Sequence, residues 1–197
     1  MISVLLLGSR SFIGKSILER WQSLPSERIS IQGLSSKDLD LTDREAVDAY
    51  FRDNYFDYVI LSAVQVANVE NSLRMFFNVR RSAEHYGFLI NLGSGAEYDP
   101  VRYKPKMDEA YAAEAFPEAG YPLIKSVQGK QIDSDVQQAS VNFRIFGIYG
   151  KFEDFSRRFI TSNVYSALTK GAVTCNQDML FDYVHVDVLS DFLFQVI

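Results

Sequence analysis

The opening stretch of the chain constrains its fold more than any other. Ser3 to Leu7 (SVLLL) is a continuous apolar run that stops at a glycine. Uninterrupted apolar runs of this length suit strands buried on both faces, as in a parallel sheet. GSRSFIG, Gly8 to Gly14, follows, and an amphipathic stretch runs from Ile13 to about Leu24. The order is strand, glycine turn, helix. Gly8 supplies the backbone freedom of a tight turn, and Gly14 permits close helix–strand packing. The free N–H groups at such a helix start suit a pyrophosphate. A plain β-to-α turn that needs a glycine is the other reading of the same residues.

The rest of the chain repeats the alternation. Ile29 to Ile31, Tyr58 to Leu61, Phe88 to Leu92 and Val141 to Phe146 read as strands. Between them, Thr42 and Glu45 have the spacing of a capping box, opening a helix that buries Ala46, Val47, Tyr50 and Phe51. A second helix runs from Asn68 to about Tyr86, with Phe76 and Phe77 toward the core and Arg74, Arg80 and Arg81 on its wet side. Tyr98 to Pro117 reads as a long loop carrying Pro100, Pro105 and Pro117. A helix with Tyr121 and Lys125 follows, to about Gln138. Phe155 to Lys170 reads as a helix closed by Gly171, Val173 to Cys175 as a short strand, and Asp182 to Asp187 as the lead into a final helix. The predicted fold class is α/β, a doubly wound parallel sheet flanked by helices.

Composition narrows the function classes. The chain has 197 residues, 47% hydrophobic and 23% charged, which fits a globular domain with a sizeable core. Its net charge of −5 and the lack of a Lys/Arg cluster speak against nucleic acid. One cysteine, Cys175, and two histidines far apart, His85 and His185, predict no disulfide and no metal site. No apolar run approaches a membrane span, and Met1 leads directly into a strand, so no signal peptide is expected. The expectation is a cytoplasmic protein.

The candidate chemistry sits around Tyr121. Lys125 lies one helical turn away, on the same face. An ammonium there is expected to lower the phenol from its usual pKa of about 10. Ser94, at the carboxyl end of a strand where doubly wound sheets collect ligands, supplies a second hydroxyl to polarise a carbonyl while Tyr121 moves the proton. At the tip of the second strand, Gly33 to Lys37 carries no carboxylate. Arg10, Ser36 and Lys37 suit a 2′-phosphate there, which favours NADP over NAD.

Taken together these motifs resemble the short-chain dehydrogenase/reductase superfamily, and within it the NAD(P)-dependent epimerase/dehydratase family of nucleotide-sugar enzymes. Gly8 to Gly14 resembles its G-x-x-G-F-I-G turn, Asp40-Leu41-Thr42-Asp43 its D-L-T-D segment, and Leu61-Ser62-Ala63 its L-A-A strand end. Asn68-Val69-Glu70 resembles N-V-E, Arg144 to Gly150 resembles L-R-x-F-N-V-Y-G, and Phe181 to Asp187 resembles R-D-F-V-H-V-D-D. The local pattern is nearest the GDP-L-fucose synthase branch, on whose turn arginine Arg10 falls.

The resemblance implies a Rossmann-type domain over 1–150 and a partial substrate-binding lobe over 151–197 that is not independent. It implies catalytic Ser94, Tyr121 and Lys125. It implies cofactor contacts from Gly8, Ser9, Arg10, Ser11, Phe12, Ile13, Gly14, Ser36, Lys37, Asp40, Leu41, Ser62, Ala63, Tyr121 and Lys125, with NADP as cofactor and NAD possible. The implied substrate is a nucleotide sugar, reduced or epimerised at a 4-keto carbon. Ala96 stands where the synthase branch has its catalytic cysteine, so 3,5-epimerisation is not implied. Gly95-Ala96 stand where dehydratases carry Asp-Glu, so dehydration is not implied either. A homodimer through the Tyr121–Lys125 helix, with Val127 and Ile132 in contact, is also implied. A non-catalytic NAD(P)-binding sensor or interaction protein is the alternative.

Overall fold

The computed structural model describes residues 1–24, 27–99, 101, 103–114, 116–178 and 181–197; Pro100 of the proline-rich loop lies outside them. Five strands, β1 (Ile2–Leu7), β2 (Ile29–Leu34), β3 (Phe56–Leu61), β4 (Tyr86–Ser94) and β5 (Ser140–Ile145), form one sheet in the order β2-β1-β3-β4-β5. All four pairings are parallel. This is the Rossmann-type doubly wound sheet. The chain order reverses between β1 and β3, and the crevice at their carboxyl ends is the ligand position of such sheets.

Alternation along β1 explains the two-sided core. Leu5 and Leu7 join Val47, Phe51, Phe76 and Val79 on one side. Those residues come from α2 (Arg44–Asp53) and α3 (Val69–Arg81), and Ile132 of α5 (Gly120–Ser134) joins them. Val4 and Leu6 join Ile17 and Trp21 of α1 (Phe12–Ser23) and Leu189 and Leu193 of α7 (Val186–Val196) on the other. A short helix, α4 (Ala110–Glu114), interrupts the long loop. Beyond the sheet, β6 (Gly147–Tyr149) pairs in parallel with β7 (Tyr183–His185), and α6 (Phe159–Lys170) lies between them in sequence. Among the described residues no helix is long and apolar enough to cross a membrane.

Several local expectations are corrected. Asp43, not Thr42, caps α2: its carboxylate accepts the Ala46 N–H at 3.1 Å. The Thr42 hydroxyl instead donates to Asp40 Oδ1 at 2.7 Å, which fixes the turn ahead of the helix. Arg80 is buried, donating to Asp135 Oδ2 at 2.6 Å and Ser140 Oγ at 3.0 Å, because α3 packs on α5 along the edge expected to be wet. Phe77 is exposed. Val173 to Cys175 forms no strand and is exposed coil. Ile132, read as a contact to a second copy, is only 6% exposed in the protein's own core.

Candidate functional site

The glycine turn leaves no room for a side chain at Gly8 or Gly14. Gly8 has φ +93°, and a Cβ there would stand 2.7 Å from Ala63 N; one on Gly14 would stand 2.2 Å from Gly8 O. Backbone thus meets backbone between β1, α1 and the end of β3. Ser11 fills the middle of the turn as the N-cap of α1, its Oγ accepting the Gly14 N–H at 3.0 Å. The same hydroxyl lies 3.0 Å from the Ser62 hydroxyl. The N–H groups of Phe12 and Ile13, in the first turn of α1, have no intrahelical partner. This cradle fits a pyrophosphate.

Two openings flank the turn. A small cleft of about 50 Å³ is lined by Gly8, Ser36, Asp40, Leu41 and Ala63. Arg10 and Lys37 are exposed and do not line it, though both are near enough to Asp38 to act on it, whereas Ser9 is buried. Asp38, the carboxylate nearest the β2 tip, is exposed, and its Oδ2 accepts the Ser35 N–H at 2.8 Å and the Ser35 hydroxyl at 2.7 Å. These bonds hold it below the usual carboxylate range, with Arg10 and Lys37 adding to the effect. The other opening is a cavity of about 670 Å³. Ser11, Phe12, Ile13 and Ser62 from the turn region line it together with Ser94, Tyr121, Phe146, Phe181, Tyr183, Arg157 and Arg158.

Ser94 and Tyr121 therefore come together, from the end of β4 and the first turn of α5. The Tyr121 phenol lies above its ordinary range: burial raises it, and the hydrogen bond with Ser94 and the charge of Arg158 pull it partly back. This corrects the expectation that Lys125 lowers it. The Lys125 ammonium donates to the Leu92 carbonyl at 2.7 Å, and its Nζ lies over the Tyr121 ring, 5.8 Å from its centre. Burial brings Lys125 down to about 8. It stands behind the cavity and only 4% exposed. Of the sequence candidates, Ser11, Phe12, Ile13, Ser62, Ser94 and Tyr121 share the large cavity, and Gly8, Ser36, Asp40, Leu41 and Ala63 the small one.

Sequence reading missed Glu97. It is 2% exposed, directly behind Ser94, and accepts the Ser94 N–H at 3.0 Å. The signal was present: a lone carboxylate three residues past a strand-end serine has the spacing of a capping box.

Comparison with known proteins identifies the family and the fold. The NAD dependent epimerase/dehydratase family model matches residues 4–197. The chain belongs to this family. One curated relative, the GDP-L-colitose synthase of Yersinia pseudotuberculosis, is 24% identical over 226 aligned residues, covering 100% of this chain and 72% of its own. Among solved structures, a GDP-mannoheptose C4 reductase of Campylobacter jejuni with NADP bound superposes with TM-score 0.73 at 18% identity, over 99% of this chain and 72% of that one. A GDP-L-fucose synthetase of Naegleria fowleri bound to NADP gives 0.75 at 16%, over 98% and 71%. UDP-glucose 4-epimerase of Thermus thermophilus in complex with NAD gives 0.75 at 20%, over 99% and 74%. These neighbours share the fold. The family's nicotinamide cofactor fits the cradle over Gly8 and Gly14, which any added Cβ would fill.

Proposed function

We propose that the protein is an NAD(P)-dependent oxidoreductase that reduces a 4-keto nucleotide sugar, in the cytoplasm. The observation that carries this reading is the meeting of Ser94 and Tyr121 in the cavity that opens onto the glycine turn. A bound nicotinamide supplies the hydride in this chemistry. Gly8 to Gly14 would hold its pyrophosphate, and Asp40 and Leu41 its adenine; Lys125 would reach its ribose only by giving up its bond to the Leu92 carbonyl. With Asp38 consumed by Ser35, Arg10, Ser36 and Lys37 favour a 2′-phosphate, hence NADP.

The protein's own groups do the rest. Ser94 donates a hydrogen bond to the carbonyl oxygen and polarises it. Tyr121 starts protonated, because burial keeps the phenol above its ordinary range, and gives its proton to the same oxygen as that oxygen gains charge. Phe146, Phe181 and Tyr183 narrow the cavity around the sugar, and Arg157 and Arg158 bring positive charge to its wall for a diphosphate. 4-Epimerisation needs Ser94 and Tyr121 working in both directions. The NADP-bound GDP-mannoheptose C4 reductase among the neighbours supports reduction and the UDP-glucose 4-epimerase supports the alternative, while Ala96 speaks only against 3,5-epimerisation.

A homodimer belongs to this reading, with the helix pair α3 and α5 meeting its copy. Ile132 is excluded from such a contact by its burial, leaving half-buried Val127 and exposed Phe77.

The test is a panel of nucleotide-4-keto sugars with NADPH and NADH in parallel. Wild type is expected to oxidise NADPH with at least one of them. Tyr121→Phe is expected to lose turnover by about 10²-fold or more, on the order expected for a general acid, while its NADPH affinity, read by fluorescence titration, stays within about twofold of wild type. A non-catalytic NAD(P)-binding protein would bind cofactor, turn over nothing, and ignore the substitution.

A further inference from the structure

Behind Ser94 lies a buried polar layer whose centre is Glu97. Its Oε1 accepts from Ser94 N and from Asn142 Nδ2, both at 3.0 Å. Its Oε2 accepts from Asn142 Nδ2 at 2.9 Å and from Arg144 Nε at 2.9 Å. Asn142 in turn accepts from Asn91 Nδ2 at 2.7 Å, so the layer spans β4 and β5. Arg144 also pairs with Asp133 of α5, and its Nη1 is 3.9 Å from Glu109.

Two glycines make room for this carboxylate. A Cβ on Gly93 of β4 would come within 2.5 Å of Glu97 Oε1, and one on Gly129 of α5 within 2.3 Å of Oε2. The carboxylate is therefore wedged between the strand that ends at Ser94 and the helix that carries Tyr121 and Lys125. Burying an ion pair is weak ground for stability, since desolvation offsets most of the attraction. The arrangement is better explained by what it faces. Among the described residues Lys125 has no hydrogen-bonded carboxylate partner, and Glu97 is the negative charge that acts on it and on Tyr121.

We infer that Glu97 is a positioning residue of the site: a buried carboxylate that fixes the backbone of Ser94 and supplies the negative charge facing Lys125. This rests on the reductase reading of Ser94, Tyr121 and Lys125. The charged and titratable groups around Glu97 are Arg144 on β5, Lys125, Tyr121 and Asp133 on α5, Glu109 ahead of α4, and Tyr98, next to Glu97 in the chain. Arg144 has Asp133 as a second partner, whereas Glu97, wedged against Gly129 one helical turn along α5 from Lys125, is a carboxylate whose charge raises Lys125. Burial pushes the Glu97 carboxyl up, opposed by Asn142, the Ser94 N–H and Arg144.

The experiment pairs Glu97→Gln, which removes the charge at nearly constant volume, with Glu97→Asp, which keeps the charge but withdraws it from the Ser94 N–H. The Lys125 titration is followed by NMR of the lysine ε-carbon, assigned with Lys125→Met, without substrate. In E97Q the Lys125 midpoint is expected to move to lower pH, and in E97D to stay near wild type. Both variants are expected to lose kcat by about 10²-fold, the order that misplacing a reacting group costs, with NADPH affinity kept. An unmoved Lys125 midpoint in E97Q overturns the inference. So does a loss confined to thermal stability, with kcat per folded molecule at the wild-type value. Should E97Q fail to fold, E97D decides: wild-type kcat overturns the inference, and lowered kcat with a wild-type Lys125 midpoint supports it. Because the midpoint is read without turnover, a wild type that reduces no sugar sinks the reductase reading alone.

Discussion

Lys125 sets the electrostatic character of the site, since it holds a charge where there is almost no water. Its hydrogen-bond acceptor is the Leu92 carbonyl, and burial brings it from 10.5 to about 8. Between those values the unfolded chain binds the proton that the folded chain has released, so stability rises with pH across that window. Below pH 8 both states are protonated and the burden of the buried charge is fully present, on the order of 3 kcal/mol. Lys125→Met lacks that burden at every pH. The stability of wild type relative to K125M is therefore expected to climb by on the order of 3 kcal/mol between about pH 7.5 and 10.5. Urea unfolding of both proteins across that range reads it, and parallel curves would refute it. Phenols are common to both proteins, so their titration cancels in the difference. The same site marks the limit of reading residues in one dimension. The one-turn spacing of Tyr121 and Lys125 was legible, but the direction of the ammonium was not. That direction depends on a carbonyl of β4, a long way back in the chain.

At the scale of elements, helix starts are where sequence and structure part by a single residue. The segment Thr42-Asp43-Arg44-Glu45 offers two competent caps in succession. The turn decides between them: Asp40 captures the Thr42 N–H at 2.8 Å as well as its hydroxyl, which leaves Asp43 to receive the Ala46 N–H. Asp43→Ala is accordingly expected to cost about 1 kcal/mol of stability, and Thr42→Ala a few tenths, since its hydroxyl bond is exposed and local. Equilibrium urea unfolding at about pH 7 separates the two; equal losses would restore Thr42 as the cap. The strands were readable because their apolar runs answer to both sides of the sheet at once. Arg80 and Phe77 were not, because a helical wheel gives the dry face of α3 toward the sheet and is silent about α5 along its flank. Glu97 escaped for a related reason: its partners Asn142 and Arg144 lie on β5, and only the fold sets them beside Ser94.

At the scale of the whole molecule, the question is whether the C-terminal residues form a separate body. The last helix answers it. Leu189, Leu193 and Ile197 are buried in the same core as Val4 and Leu6 of β1. Trp21 of α1 donates its indole N–H to the Ser190 carbonyl at 2.9 Å and stands edge-on to Phe194 at 5.5 Å. Arg20 grips Asp191 with two nitrogens, at 2.8 and 2.9 Å. Thus α7 closes one face of the sheet, and the segment carrying β6, α6 and β7 is held at both of its ends by the central body. Docking of α7 is then expected to be part of the cooperative unit, and the protein's single tryptophan would report it. Leu193 is fully buried, so Leu193→Ala is expected to cost about 2–5 kcal/mol. The loss is expected to appear equally in tryptophan fluorescence and far-UV circular dichroism, as one transition with coincident midpoints. If α7 docked as an independent unit, the fluorescence change in L193A would precede the loss of helix and sheet, and the two probes would separate.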